Sequence, residues 1–337
     1  VPRPSAHPVA HAPGSSRPTK PLASLSLDLD NKWSYLKTHG DPGWDRLPSY
    51  LHVVVPRTLR FLADRGLTIT WFVVGQDAAL PQHHDVLRSI AEAGHEVGNH
   101  SFHHEPWLHL YASAEIEAEL ARAEEAIEAA TGVRPTGFRG PGFSVSAAVL
   151  DVLAARGYRY DASTFPTYLG PLARAYYFMT AKLSPEEKRR RAKLFGTVAD
   201  GRRPLRPYRW RTATAELLEI PVTTMPLAKV PIHVSYLLYL ARFSRAAAKA
   251  YITSALWLCE RTGTEPSILL HPLDFLGGDD DPDLGFFPAM DRPAAWKLDV
   301  VADVFDRLTG RFEVLPMGRY AERLAGHPLP VRRPDFQ

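Results

Sequence analysis

Apolar positions along this chain recur in two alternating rhythms. In Leu22–Leu29 (LASLSLDL) the period is two, so Leu27 and Leu29 point one way and Asp28 and Asp30 the other, as in a strand with unlike faces. The stretch 67–74 (LTITWFVV) is β-branched and aromatic throughout and reads as a buried strand. Between such segments the apolar period lengthens to that of helices. The spacing predicts them over 50–65, started by Pro48-Ser49; over 81–93, closed by Gly94; over 113–131; and over 146–156. Further short strands are expected at 96–98, 136–138 and 158–161. Repeated βα units of this kind imply an α/β fold with a mainly parallel sheet or barrel.

The rhythm breaks after Phe165. Residues 166–215 hold a helix near 184–194 and the stretch GRRPLRPYRWR, after which a strand at 217–222, two helices across 234–262, a strand at 267–270 and a helix at 292–308 resume the pattern. We therefore expect one barrel over 21–325, with residues 166–245 inserted as a cap. Residues 1–20, rich in Pro, Ser and Ala, read as a disordered or extended arm, and 326–337 as a tail.

Composition narrows the classes only slightly. The 337 residues are 45% hydrophobic and 23% charged with a net charge of +3, which is ordinary globular composition and no global field for nucleic acid. Local charge is uneven: 182–211 carries eleven Lys or Arg against three acids, followed by the aromatic and basic run KVPIHVSYLLYLARFSR (229–245). As a cap, these segments would suit an anionic or lipid-linked substrate at a membrane surface. The single cysteine, Cys259, excludes an intramolecular disulfide and a Cys-rich zinc finger. No apolar run reaches the ~18–20 residues that span a bilayer, so no transmembrane segment is expected. The expected location is cytoplasmic or peripheral at a membrane; because the chain starts at a valine, a removed leader and secretion stay open.

Chemistry concentrates at strand ends. Asp28 and Asp30 share a strand face and would repel unless a cation, a proton or water intervenes. In GHEVGNHSFHHEPW (94–107), Asn99 can cap a helical turn that stacks His100 and His104 at i and i+4, with His103 a rival at i+3. Two His and one carboxylate leave an open coordination position, the pattern of catalytic zinc sites. Arg139 emerges at the next strand end, before the Gly140-Pro141-Gly142 turn, and can hold an aspartate ionised. Asp161 and His271 close two further strands, and Trp33 and Tyr35 could line a pocket rim. Convergence at the C-terminal ends of parallel strands is where such folds assemble their sites. A glycosyltransferase would leave the three histidines idle, and a glycosidase needs carboxylates on both sides of a bond rather than on one strand. A non-enzymatic basic module, binding membrane or nucleic acid, would rest on 182–211 alone.

The ordered set Asp-x-Asp, His-Ser-x-x-His, Phe-Arg-x-Pro, Tyr-Asp-x-Ser and Leu-Leu-His-Pro resembles the polysaccharide deacetylases of carbohydrate esterase family 4, the NodB-homology group, over roughly 20–165 and 266–320. The resemblance implies a distorted (β/α)7-8 barrel and a divalent metal, zinc first and Co2+, Ni2+ or Mn2+ as substitutes, that serves to remove an N-acyl group from an amino sugar. It assigns Asp30, His100 and His104 to the metal, Asp28 as general base, Arg139 as its orienting partner, His271 as general acid and Asp161 as the group that orients His271. Gly142 would supply an oxyanion N–H, with Phe143 and Trp33 beside the substrate. Many members have adjacent aspartates. Here Leu29 separates them, as in a subgroup acting on peptidoglycan-type or lipid-linked sugars, so a lipid-linked or phosphorylated amino sugar, or a small glycosylated natural product, is the alternative substrate of a deacylase or deformylase.

Overall fold

The structure, a computed structural model, describes residues 20–170 and 198–336. Its centre is a parallel sheet. Strands β1 (Leu22–Leu29), β2 (Thr70–Val73), β3 (Glu96–Asn99), β4 (Gly137–Phe138), β5 (Tyr160–Asp161), β7 (Glu216–Glu219) and β8 (Ser267–Leu270) run parallel in the spatial order β7-β5-β4-β3-β2-β1-β8. The two ends meet where the chain leaves β7: Thr223 N–H donates to Ser267 C=O (2.9 Å), and Ser267 N–H to Thr223 Oγ1 (2.8 Å). With this seam the ends of the sheet come together as a distorted, incompletely closed barrel. Strand β9 (Glu313–Leu315) adds to the lower end of β1.

Alternation along β1 sets both sides of the wall. Ala23, Leu25, Leu27 and Leu29 face outward into the main core, under helices α2 (Leu51–Ala63), α4 (His84–Glu92), α5 (Ser113–Thr131), α8 (Arg245–Thr262) and α9 (Ala294–Arg311). Ser24, Ser26 and Asp28 lie on the opposite, luminal face. The lumen is filled by Phe72, Tyr160, Leu218 and Met317. Gly98 and Gly137 make the room: a Cβ on Gly98 would stand 2.6 Å from the Phe72 ring, and one on Gly137 2.1 Å from Tyr160. Helix α10 (Met317–Leu324) plugs the lower end, Met317 N–H donating to Thr70 Oγ1 and Gly318 N–H to Glu96 Oε2 (both 2.7 Å).

Three elements depart from the sequence reading. Helix α1 (Lys32–His39) follows β1 at once, capped by the Asn31 side chain and closed by Gly40 at φ 88°. Its KWSYLKTH pattern has no clear apolar period, so nothing announced it. Within the expected insertion, β6 (Tyr208–Arg211) pairs antiparallel with β7, so part of 166–245 belongs to the sheet. The expected tail contains β10 (Val331–Arg332), which pairs with β6, and Phe336, which packs 5.4 Å from Trp210. The helix expected near 184–194, most of the basic stretch 182–211 and the N-terminal arm lie outside the described residues. Among the described residues no helix is long and apolar enough to cross a membrane.

Candidate metal centre

Asp30 stands one residue beyond β1, and β2 separates β1 from β3, whose end carries His100. Even so, Asp30 Oδ1 lies 3.3 Å from His100 Nε2 and 2.9 Å from His104 Nε2. The approach to His104 lacks hydrogen-bond direction, and both Asp30 Oδ1 and His104 Nε2 are buried without a hydrogen-bond partner. Two lone-pair atoms facing one another without a shared proton are what a cation would satisfy. His100 is oriented toward the same point, because its Nδ1–H donates to the Arg139 carbonyl (2.6 Å) and leaves the Nε2 lone pair turned inward. The three ligand atoms lie within 4.8 Å of one another. Burial opposes charge on Asp30, but the two imidazoles outweigh it and hold its carboxyl well below the usual range. This donor set fits a divalent ion such as zinc.

The histidines do not share a helix face. Residues 100–105 form an irregular loop in which Ser101 (φ 62°) and His104 (φ 54°) take left-handed backbone, a strain of about 1–3 kcal/mol each for such residues. Side chains fix the loop: Asn99 Oδ1 accepts Ser101 N–H (2.8 Å), and Ser101 Oγ accepts His104 N–H (3.2 Å). Glu119, from α5, accepts the backbone N–H of Phe102 (3.0 Å) and His103 (2.6 Å) and the His103 Nδ1–H (2.7 Å). His103 is thereby turned to Glu119, and His104 takes the position in the cluster.

Beside the cluster, Arg139 is fully buried and needs its charge answered. It donates from Nη1 to Asp28 Oδ1 (2.7 Å) and Ser26 Oγ (2.8 Å), and from Nε to the Ala162 carbonyl (3.0 Å), above the Phe72 ring. Asp28 Oδ2, the other oxygen, lies 4.0 Å from His100 Nε2. The turn that follows, Pro141–Phe143, spends the N–H groups of Phe143 and Ser144 on its own bonds, while Gly142 N–H takes no part in either. Gly142 is exposed at φ 57°, where a Cβ would be strained and 3.1 Å from Pro106. Phe143 stacks on Phe165 at 4.6 Å.

His271 follows β8 and is partly exposed. Its Nδ1 lies 3.2 Å from Ser235 Oγ, whose proton goes to Asp274 Oδ1 (2.8 Å); Ser235 Oγ therefore accepts from His271 Nδ1–H and Nε2 is left for a ligand. Asp274 Oδ2 also accepts His271 N–H (2.8 Å). The expected link from Asp161 to His271 is corrected by this arrangement. Asp161 Oδ1 accepts Ser163 Oγ–H (2.6 Å), Ser163 Oγ accepts Gly140 N–H (2.8 Å), and the remaining neighbour is Glu219. Burial and the Asp161 charge push Glu219 well above the ordinary carboxylate range. Asp161 thus supports the Gly140–Phe143 turn.

Trp33 is also corrected. Immediate entry into α1 turns it inward: it is 0% exposed, donates Nε1–H to Asp77 Oδ1 (3.0 Å) and stands edge-on to His104. It packs beside His104 and does not line the rim. Tyr35 stays half-buried, edge-on to Phe287 at 5.3 Å. Sequence reading missed Asp77, Glu119, Ser235, Asp274 and Glu219. Asp274 had a signal, an acid three residues after His271 across a proline, the pattern of a capped turn. Ser235, contributed by another helix, had none.

Residues 41–160 match the family model described as polysaccharide deacetylase. The peptidoglycan deacetylase of Helicobacter pylori is 30% identical over 146 residues, 42% of this chain and 49% of that protein. A chitin deacetylase of Pestalotiopsis is 31% identical over 101 residues, 30% of this chain and 34% of that protein. The chain thus spans half or less of the length of these curated relatives. Among solved structures, a candidate polysaccharide deacetylase from Mycobacterium smegmatis superposes with a TM-score of 0.61 at 22% identity, covering 97% of this chain and 99% of that one, a likeness of fold.

Proposed function

We propose, from the match of residues 41–160 to the polysaccharide deacetylase family, that the chain is a zinc-dependent hydrolase that removes the N-acetyl group of an amino sugar within a glycan. One observation carries the reading: three metal-type donors converge on a point beside a carboxylate that a buried arginine holds in place. The relatives named for peptidoglycan and chitin support a glycan substrate.

Asp30, His100 and His104 would hold the ion, which when bound polarises the acyl carbonyl and makes water more acidic. Asp28 accepts a proton from the attacking water; its Oδ1 is engaged by Arg139, so Oδ2 is the basic atom. The oxygen charge that develops on the acyl group is met by Gly142 N–H, a donor the turn leaves free for it. His271, carrying its second proton on Nε2, gives it to the nitrogen as the C–N bond breaks and is left neutral; before that transfer Asp274, through Ser235, stabilises the imidazolium. Acetate and free amine leave.

The test is hydrolysis of N-acetylglucosamine oligomers by protein stripped of metal and reloaded with zinc. Zinc should restore activity, and Asp28→Asn should lose about 10²–10⁴-fold in kcat while still binding zinc. Full activity in Asp28→Asn, or in the stripped protein, would overturn the reading.

A further inference from the structure

Helix α7 (Val234–Ala241) begins at the pocket and runs away from it. Its inner face is conventional: Val234, Leu237, Leu238 and Ala241 are buried at helical spacing in the main core. The opposite face should then be polar. Instead Tyr236 (43% exposed), Tyr239 (43%) and, two residues past the helix end, Phe243 (72%) form an aromatic stripe at i, i+3 and i+7.

The stripe is continuous with the pocket. His233, just before α7, has its ring 4.4 Å from Tyr236, 5.5 Å from Phe165 and 6.0 Å from His271. Phe165 in turn stacks on Phe143, beside the Gly142 turn. His233 is only 6% exposed, and its Nδ1 has no hydrogen-bond partner. At the outer end Tyr239 and Phe243 are 5.4 Å apart. From residue 233 to 243 a helix advances about 15 Å, several sugar rings in length.

We propose that this row, His233, Tyr236, Tyr239 and Phe243, is a binding track for a glycan chain whose reacting sugar lies at His271. The inference rests on the deacetylase reading for the identity of the pocket and deepens it, since it assigns the path that the glycan takes away from the reacting sugar. The apolar C–H faces of pyranose rings pack on aromatic faces while their hydroxyls stay wet, and tyrosine, with an apolar ring and a polar tip, suits such a boundary. An anionic membrane would favour unpaired cations around the stripe. The flanking Arg242 and Arg245 are instead paired with Asp291 (3.0 Å) and Asp303 (3.7 Å).

The experiment is calorimetric binding of N-acetylglucosamine and its β-1,4-linked pentamer to the full chain, with Tyr239→Ala/Phe243→Ala alongside. Wild type should bind the pentamer at least tenfold more tightly than the monomer. The double variant should lose that advantage and bind the monomer as before. Equal pentamer affinity in both proteins would overturn the track. So would loss, in the double variant, of binding to phosphatidylglycerol vesicles with pentamer affinity unchanged, which makes the stripe a membrane face. Because binding is read separately from turnover, track-dependent binding without zinc-dependent hydrolysis would keep the track and reject the enzymatic reading.

Discussion

Single side chains decide how this site is held. Asp77 is buried, accepts N–H groups from Asn31 (2.7 Å) and Trp33 (3.0 Å) through Oδ1, and leaves Oδ2 without a partner. Burial pushes its carboxyl up to about 7. In the unfolded chain it would ionise near 4, so between about 4 and 7 the folded state holds a proton the unfolded state has released, and stability falls as pH rises. Asp77→Asn removes that cost and keeps an oxygen for the two donors. Its stability relative to wild type should rise by up to about 4 kcal/mol from pH 4 to 8. Denaturation curves that keep a constant separation over that range would refute the argument. Asp77 also shows what a sequence hides. Asp28 and Asp30 were legible because strand alternation puts them on one face, and His271 because it ends an apolar strand. Asp77, Glu119 and Ser235 act across distances of 16 to 46 residues in sequence, where no local period reports on them.

At the level of elements, the loop after β3 matters most. It places His100 and His104 through two left-handed residues, and Glu119 of α5 is its main external support. Glu119→Ala would orphan two backbone N–H groups and free His103, loosening His104 without touching a metal ligand. Zinc affinity should fall about 10–100-fold, read by competition with a chelator. An unchanged affinity would mean that the loop holds its strained shape unaided. The i, i+4 spacing of the two histidines pointed to one cluster, where both side chains meet Asp30, but not to a helix: the strand end, the Asn99 cap and the Ser101 hydroxyl do the folding. Longer elements with a clear period were read nearly to the residue, α5 and β8 among them. The short pieces β6, β9 and β10 form only because a neighbouring edge is present, so their sequences alone could not show them.

For the molecule as a whole, an ion held by Asp30, His100 and His104 would also be a cross-link. Asp30 hangs from β1 and both histidines from the end of β3, with β2 between them, so an ion there would tie two strands that do not pair. An ion that binds only the folded state stabilises it by mass action, about 2.7 kcal/mol at a hundred times its Kd. For a chain of this length each kcal/mol moves Tm by roughly 2 °C, so saturating zinc should raise Tm by about 5 °C and a chelator should reverse the gain. His104→Ala should abolish the shift by removing one donor. Asp28→Asn should keep it, because Asp28 faces Arg139 and stands 4.0 Å from His100 Nε2. The pair of variants separates the two halves of the aspartate motif. If Asp28→Asn lost the zinc-dependent stabilisation along with activity, Asp28 would be a ligand, and the base would have to be sought elsewhere. If His104→Ala kept it, the ion would sit outside the cluster.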